Sequence, residues 1–415
     1  MSRATTPAPP EQTEVVVIGA GLAGLCCGLR LAERGIAFTL LEAAHRVGGR
    51  VVTDVVDGYR IDRGFQVLLD SYPEVRARLD LPALGVRAFE AGALVRKDGR
   101  FWRIGDPWRR MSSALPTLRA PFVSFSDALR LARLRGQALR DGASPSGSAA
   151  SFLAREGFSP AFRESFFQPF FGGGVTLDPD LGVDASWLVR LFGYFARGSA
   201  VLPAEGMQAI PEQLASKLPE GHLFLDTPVR AVEDGGEERE VTLESGARIQ
   251  CRQVVLATDA SACARLLGRP SEPAWNGTVT LSYGADRSPV GEAILVLNGE
   301  GAADGPVNHV AVLSDAQPTY APAGKALVSA SVPGTPEDSD EALDARVRAQ
   351  LTGWYGEEVA GWRLLRVDRV PHSLPRSSEA EELSGAEHVQ LCGDHVATPS
   401  IQGAMESGRL AAERV

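Results

Sequence analysis

Gly19, Gly21 and Gly24 stand in the order G-x-G-x-x-G, and Glu42 follows 18 residues after the last of them. Residues of these types at this spacing can hold a dinucleotide. Gly19 permits a tight turn, Gly21 lets the backbone approach a pyrophosphate, and Gly24 lets a helix lie close on a strand. A helix beginning at Leu22 and Ala23 aims unpaired N–H groups and about half a positive charge at the phosphates. The Glu42 carboxylate can accept from both hydroxyls of an adenosine ribose, and it repels a 2′-phosphate, which disfavours NADP.

With 44 Gly in 415 residues the glycine spacing alone carries little, so the elements around it must carry the rest. Glu14–Ile18 is a short β-branched apolar run, the pattern of a buried parallel strand. Leu22–Arg34 has helical periodicity, with Leu22, Leu25, Leu29 and Ala32 on one face and Gly35 as a stop. Phe38–Leu41 reads as a second strand that ends on Glu42. Strand, glycine turn, helix, strand and acid thus follow one another in the order a dinucleotide needs.

From Glu42 the chain continues Glu42-Ala43-Ala44-His45-Arg46-Val47-Gly48-Gly49-Arg50. Gly48-Gly49 is a flexible turn whose amides can form an anion-binding concavity, and Arg50 adds a permanent positive charge. This run resembles the E-A-x-x-R-x-G-G-R continuation of the flavin amine oxidase, phytoene desaturase and protoporphyrinogen oxidase superfamily. The resemblance implies FAD as cofactor, with Glu42, Ala43, Gly48, Gly49 and Arg50 closing over its diphosphate. It implies that Asp62-x-Gly64 passes beside the flavin ring, where Gly64 allows close approach and Phe65 and Gln66 reach the substrate side. It makes Val229 the residue whose backbone meets the adenine, and Thr258 the end of a strand near the nucleotide.

A second match lies near the other end of the chain: a strand, then Gly393-Asp394, then Gly403-Ala404-x-x-Ser407-Gly408-x-x-Ala411-Ala412. A strand ending there can aim the Asp394 carboxylate at ribityl hydroxyls. A helix starting near Gln402 brings Ile401, Gln402 and Ala404 to the flavin and favours the negative charge of its reduced form.

The chain departs from the amine oxidases of this superfamily in two respects. They place an aromatic residue just before the last helix, where this chain has Ala397-Thr398-Pro399-Ser400-Ile401, and a lysine on a substrate-domain strand, where it has Thr278-Val279-Thr280-Leu281-Ser282-Tyr283. The only lysines are Lys97, Lys217 and Lys325. An aromatic cage steers an amine nitrogen, so its absence favours a larger apolar substrate. Gln66 and His372 are the catalytic candidates by position, with His395 a further one. His372 opens a His-x-Leu-Pro stretch similar to one that relatives place near the substrate.

Composition sets bounds. Hydrophobic content of 44% and charged content of 23% are those of an ordinary globular protein. A net charge of −10 argues against nucleic acid as a partner. There is no apolar run long enough to span a membrane, and residues 1–12 lack a secretory core. Cys26, Cys27, Cys251, Cys263 and Cys392 include no C-x-x-C, which fits small buried side chains in a reducing cytoplasm and removes dithiol chemistry. No metal is expected.

Further elements follow from pattern. Val51–Val56 and Tyr59–Asp62 read as strands about an Asp-Gly turn. Residues 84–204 read as short helices, with Phe125–Arg140 and Ala149–Glu156 joined by the loop Asp141–Ser148 and an aromatic run at Phe162–Phe171. That run suits a helical core or a ligand wall. Ala200–Pro211 resembles a segment of protoporphyrinogen oxidases and desaturases, and leads into a helix at Ile210–Lys217. His222–Glu233 reads as one strand, Val241–Leu243 and Ala247–Ile249 as a hairpin, and Gln253–Thr258 as a buried strand. Val279–Tyr283, Ala293–Leu297, Val307–Leu313 and Ala326–Val332 read as strands, and Glu341–Trp354 as a helix.

The expected fold is α/β: a Rossmann-like FAD-binding domain with an interleaved α+β substrate domain. The first comprises 13–83, 205–262 and 386–415, the second 84–204 and 263–385, after a disordered tail at 1–12. The expected function is an FAD-dependent oxidoreductase removing hydride from an apolar, isoprenoid or carotenoid-like substrate, with oxygen or a quinone as acceptor. Amine oxidation and redox-neutral isomerisation are the alternatives. Residues 96–140 hold 11 Arg/Lys against three Asp, a net of +8, interleaved with Trp102, Trp108, Phe122 and Phe125. Such a patch can lie on an anionic membrane, or can be a solvated face paired with acids elsewhere. The expected location is therefore cytoplasmic, with membrane association through 96–140 as an added reading.

Overall fold

The computed structural model describes residues 8–109, 114–140, 145–234, 238–269, 274–376 and 388–415. The apolar run Val15–Ile18 is wholly buried and forms the centre of a five-stranded sheet. Its strands lie in the order Leu223–Phe224, Phe38–Leu41, Val15–Ile18, Gln253–Leu256, Val389–Leu391, and all neighbours are parallel. In chain order that is 3-2-1-4-5, the order of a Rossmann sheet. The helix Leu22–Glu33 crosses between the two central strands and buries Leu22, Leu25 and Leu29 as its periodicity predicts.

A seven-stranded sheet forms the second layer. Its order is Arg363–Pro375, Trp275–Ala285, Ala326–Pro333, His309–Val312, Leu295–Asn298, Gly92–Lys97, Arg100–Gly105. Alternation along its strands separates two faces. Val279, Leu281, Tyr283, Val310, Val328 and Ala330 pack with Leu343, Val347 and Leu351 of the helix Asp340–Tyr355. The opposite face carries Thr278, Thr280, Ser282, His309, Ser331 and Asp368, and all of them are buried.

The segment Arg163–Thr176 packs on the middle strands of that sheet, and the helix Phe125–Ala138 packs in turn on the helix Ala185–Arg197. Phe125–Ala138 starts at a capping box between Ser124 and Asp127. Arg163–Thr176 winds as a wide π-helix with Pro169 inside, and Pro169 has no N–H to give. Its phenylalanines divide between two jobs: Phe167, with Phe162 just before the π-helix, is fully buried in the core, while Phe166, Phe170 and Phe171 border a cavity.

Three expectations change. Residues 92–105 are a hairpin about Asp98 and Gly99, both at positive φ, rather than part of a helical segment. The strand expected over His222–Glu233 is two strands in different sheets, Leu223–Phe224 and Val229–Asp234, because Asp226 is left-handed and Pro228 cannot donate. The tail is tied down earlier than expected: Gln250 N–H donates to Glu11 O and Thr13 N–H to Gln250 O. Residues 1–7 of that tail, and Asp141–Ser144 of the expected loop, lie outside the described residues.

Asp62 ties the hairpin Thr53–Val56/Tyr59–Asp62 to the rest of the fold. Its buried carboxyl accepts from Thr53 Oγ1, Met207 N–H (3.1 Å) and Tyr320 OH (2.9 Å). Burial pushes it up to about 6, which the three donors only partly offset.

Candidate active site

Carboxyl ends of parallel strands open on a crevice where the strand order reverses. Here Gly19, Glu42, Thr258 and Gly393 follow four of the strands and line one cavity of about 1230 Å³. That exceeds the roughly 300–1,000 Å³ of a single small-ligand pocket, and leaves room for a cofactor with a substrate beside it.

The cofactor end is shaped by absent side chains. A Cβ on Gly19 would lie 2.9 Å from Ala257 O, and one on Gly24 1.8 Å from Gly19 O, so turn, helix and neighbouring strand meet backbone to backbone. A Cβ on Gly21 would meet nothing within 4 Å, so the space before it is open, as a phosphate requires. Gly48 N–H donates to Ala20 O at 2.9 Å, which sets the Gly48-Gly49 turn directly against this opening. Glu42 is held by the Ala20 N–H (2.7 Å to Oε2) and the Ala44 N–H (2.9 Å to Oε1). A carboxylate has about four acceptor positions, so two remain for ribose hydroxyls. These features fit FAD.

Arg50 and Asp394 pair with each other across this end. Arg50 also donates to Ser373 O at 2.6 Å and lies over the Trp275 ring at 5.6 Å, so it clamps strands of the second sheet onto the cradle. Leu22, Ala23, Ala43, Gly64, Phe65, Val229, Thr258, Ile401 and Ala404 border the same cavity. Gly24 does not border it; it lies behind the turn, where it permits packing. Gln402 also does not border it: its side chain is buried and accepts the Glu74 N–H at 3.0 Å. The last helix is capped instead by Ser400, whose Oγ accepts the Gly403 N–H at 3.0 Å.

Gln66 lines the cavity, but its amide nitrogen is engaged with Arg50 O (3.0 Å) and Arg63 O (2.9 Å), so it braces a turn. His372 stands at the exposed rim, stacked on Trp275 at 5.1 Å. His395 is buried beneath Gly393 and does not border the cavity. Burial pushes the thiols of Cys26 and Cys27 up to about 12, as inert packing groups.

The far end has a different character. Phe166, Phe170, Phe171, Phe192 and Phe195 form its wall. His309 also borders the cavity, edge-on to Phe65 at 4.8 Å. In the sequence the only signal of His309 is a histidine in the otherwise apolar strand His309–Val312.

A Rossmann sheet with this cradle defines an FAD-binding flavoprotein. The chain belongs to the flavin containing amine oxidoreductase family, whose profile matches residues 22–415. It is 27% identical over 172 residues to protoporphyrinogen oxidase 2, chloroplastic/mitochondrial, of Arabidopsis thaliana, covering 40% of this chain and 33% of that protein. It is 27% identical over 293 residues to putrescine oxidase of Kocuria rosea, covering 63% of this chain and 60% of that one. The matches thus span under two thirds of either relative's length. An oxidoreductase from Methanosarcina mazei has the same fold, with a TM-score of 0.74 at 16% identity over 97% of this chain and 100% of that one.

Two predictions follow from this geometry. Glu42→Arg puts a bulky cation where ribose hydroxyls need an acceptor, so the purified variant is expected to lose its FAD, read as the flavin absorbance per protein after gel filtration. Retention equal to wild type would remove the ribose role. The second concerns His309, which burial pushes down from 6.5 to about 3. The unfolded chain takes up a proton near pH 6.5 that the folded chain refuses, so this stability is full above pH 6.5 and is lost as pH falls toward about 3. Asp62 acts the other way, its stabilisation being lost as pH rises from 3.8 through about 6. Comparison with His309→Gln isolates the histidine: the variant should lose up to about 1.4 kcal/mol less per pH unit on acidification from neutral, measured by urea midpoints.

Proposed function

We propose that this chain is an FAD-dependent oxidoreductase that removes hydride from a large apolar substrate of isoprenoid or carotenoid-like character. The observation that carries this reading is the wall of five phenylalanines at the far end of the cavity. Bound FAD would supply the hydride acceptor, and release of a proton from the adjacent carbon to solvent would leave the double bond in the product. The chain supplies orientation and exclusion of water: the aromatic wall packs on hydrocarbon, and Gly64 and Phe65 set how closely it approaches the flavin. No lysine lines the cavity among the described residues. Lys97 donates to Gly299 O, Lys217 to Arg78 O and Lys325 to Asp286, all elsewhere.

One observation favours a second reading, oxidation of an amine. Asp368 borders the cavity with its Oδ2 unpartnered among the described residues, an acceptor for a cation. Anaerobic mixing of the holoenzyme with isoprenoids and with amines separates the two. Bleaching of the flavin by isoprenoids alone is expected; bleaching by amines alone would overturn the reading. Product formed with the flavin still oxidised would mean redox-neutral isomerisation instead.

The substrate's source is part of the same reading. Of the seven exposed large apolar side chains among the described residues, six are Trp108, Leu115, Leu118, Phe125, Leu129 and Leu139. Trp108 of this patch borders the cavity, as do Leu131 and Arg135, so the patch adjoins the cavity. Part of the basic charge is paired, as in Arg103 with Glu292 and Arg135 with Asp106. Arg119, Arg133 and Arg140 make no ion pair among the described residues, and Arg110 lies outside them. Unpaired arginines around exposed leucines suit an anionic lipid surface. No described helix is long and apolar enough to cross a membrane. The wild type is expected to co-sediment with phosphatidylglycerol vesicles, and Leu118→Asp with Phe125→Asp to stay in the supernatant with its FAD. Equal sedimentation of the two would discard the lipid contact.

A further inference from the structure

The polar face of the seven-stranded sheet carries a row of four buried residues in register. His309 lies opposite Ser331, Ser331 opposite Thr280, and Thr280 opposite Asp368. Directly opposed residues on neighbouring strands project to the same face, so the row crosses four strands in about 14 Å. Exposures are 1% for His309, 2% for Ser331, 1% for Thr280 and 6% for Asp368. Each has a polar atom without a hydrogen-bond partner among the described residues: His309 Nε2, Ser331 Oγ, Thr280 Oγ1 and Asp368 Oδ2. A buried polar group left without a partner is destabilising, so four in a row imply a partner that fills them. His309, Ser331 and Asp368 border the cavity, so the partner can come from there.

The tautomer at the His309 end selects that partner. Asn308 Nδ2 donates to Pro169 O at 2.9 Å, an oxygen belonging to the π-helix, and faces His309 Nδ1 at 3.0 Å. An amide nitrogen only donates, so Nδ1 is the acceptor and the proton sits on Nε2. Gly173 makes room for this, since a Cβ there would fall 2.2 Å from Asn308 Oδ1. An N–H is therefore left without a partner on a residue that borders the cavity, and an unpartnered hydroxyl stands on the residue opposite it.

We propose that His309 and Ser331 bind one hydroxyl or carbonyl oxygen at the end of an otherwise apolar substrate, His309 Nε2–H donating to it and Ser331 Oγ completing its hydrogen bonds. Thr280 and Asp368 continue the row through water. An ammonium carries donors only and cannot accept from Nε2–H, so the His309 end selects against amines. Burial keeps the imidazole neutral, which suits an uncharged oxygen. Asp368 already faces Arg366 at 2.7 Å, so its charge is largely matched.

The inference rests on the apolar-substrate reading, and binding tests it without turnover. Farnesol, farnesene and farnesylamine share a skeleton and differ at one end. Each is titrated into anaerobic holoenzyme and followed by calorimetry and by the shift of the flavin absorbance. Wild type is expected to bind farnesol about ten-fold tighter than farnesene, the worth of one good hydrogen bond, and farnesylamine more weakly than farnesol. His309→Phe and Ser331→Ala should each remove most of that preference, while His309→Gln, which keeps an N–H, should retain part of it. FAD content and the thermal midpoint report that each variant is folded, and Ser331→Ala, the smallest change, keeps the test available if His309→Phe is not. No preference in wild type, or the same preference in both deletion variants, overturns the proposal while leaving the apolar reading standing. Failure of all three probes to bind removes both.

Discussion

Two helices touch here with no side chain between them, and the placement of the site depends on that contact. A Cβ on Gly408, in the last helix, would fall 2.0 Å from Ala23 O, in the first. Both ends of the chain are therefore locked together at van der Waals distance, flanked by buried Leu25, Met405 and Ala411. The ion pair of Arg30 with Glu413, at 3.2 Å and partly exposed, adds little. This backbone contact sets the Ser400-capped N-terminus of one helix and the phosphate-facing start of the other on the same cavity, though they lie nearly the whole chain apart. The cradle cannot widen at one end without moving the other.

The second sheet answers a different problem. A sheet buried on both faces is ordinarily apolar on both. Here only the face against Asp340–Tyr355 is, and the other buries threonines, serines, a histidine and an aspartate. Such a face is stable only where other groups complete its hydrogen bonds. Some are completed internally: Thr278 Oγ1 donates to Val332 O at 3.1 Å, and Arg366 pairs with both Asp54 and Asp368. Those left over cluster where the sheet meets the cavity, which is the physical ground for assigning them to a bound molecule.

The cofactor half was legible because its rules are local. Gly19, Gly21, Gly24, Gly48 and Gly49 act through backbone geometry within a few residues, and Glu42 acts through a carboxylate at the end of the next strand, so spacing records them. Asp98-Gly99 between two alternating runs was equally local and marked the hairpin 92–105, but the aromatics around it drew the reading toward helices. A position in a helix motif does not say which way a side chain turns, and that of Gln402 turns to Glu74. The row from His309 to Asp368 was out of reach. Its members come from four separate strands, and only register, set by long-range pairing, brings them level. Thr278-Val279-Thr280-Leu281-Ser282-Tyr283 showed alternation, yet alternation with a polar face normally marks a strand with one face in water, and nothing local says that this face is covered.

The cavity and the patch that adjoins it make opposite demands on one molecule. Exposed leucines and unpaired arginines in the patch favour a molecule that arrives from an apolar phase. A wall of phenylalanines alone would then hold it in many rotated and slid positions of nearly equal energy, because dispersion is nondirectional. Hydride transfer needs one carbon held against the flavin, with reacting atoms about 3–3.5 Å apart. A single polar anchor in an apolar cavity removes that degeneracy at small cost, since the anchor needs only one oxygen and leaves the rest of the skeleton to packing. His309 is well placed for this: Phe65 lies against it, and Phe65 follows Gly64, the glycine that the family resemblance sets beside the flavin, so on the proposed reading the anchor and the reacting position are set by adjoining residues.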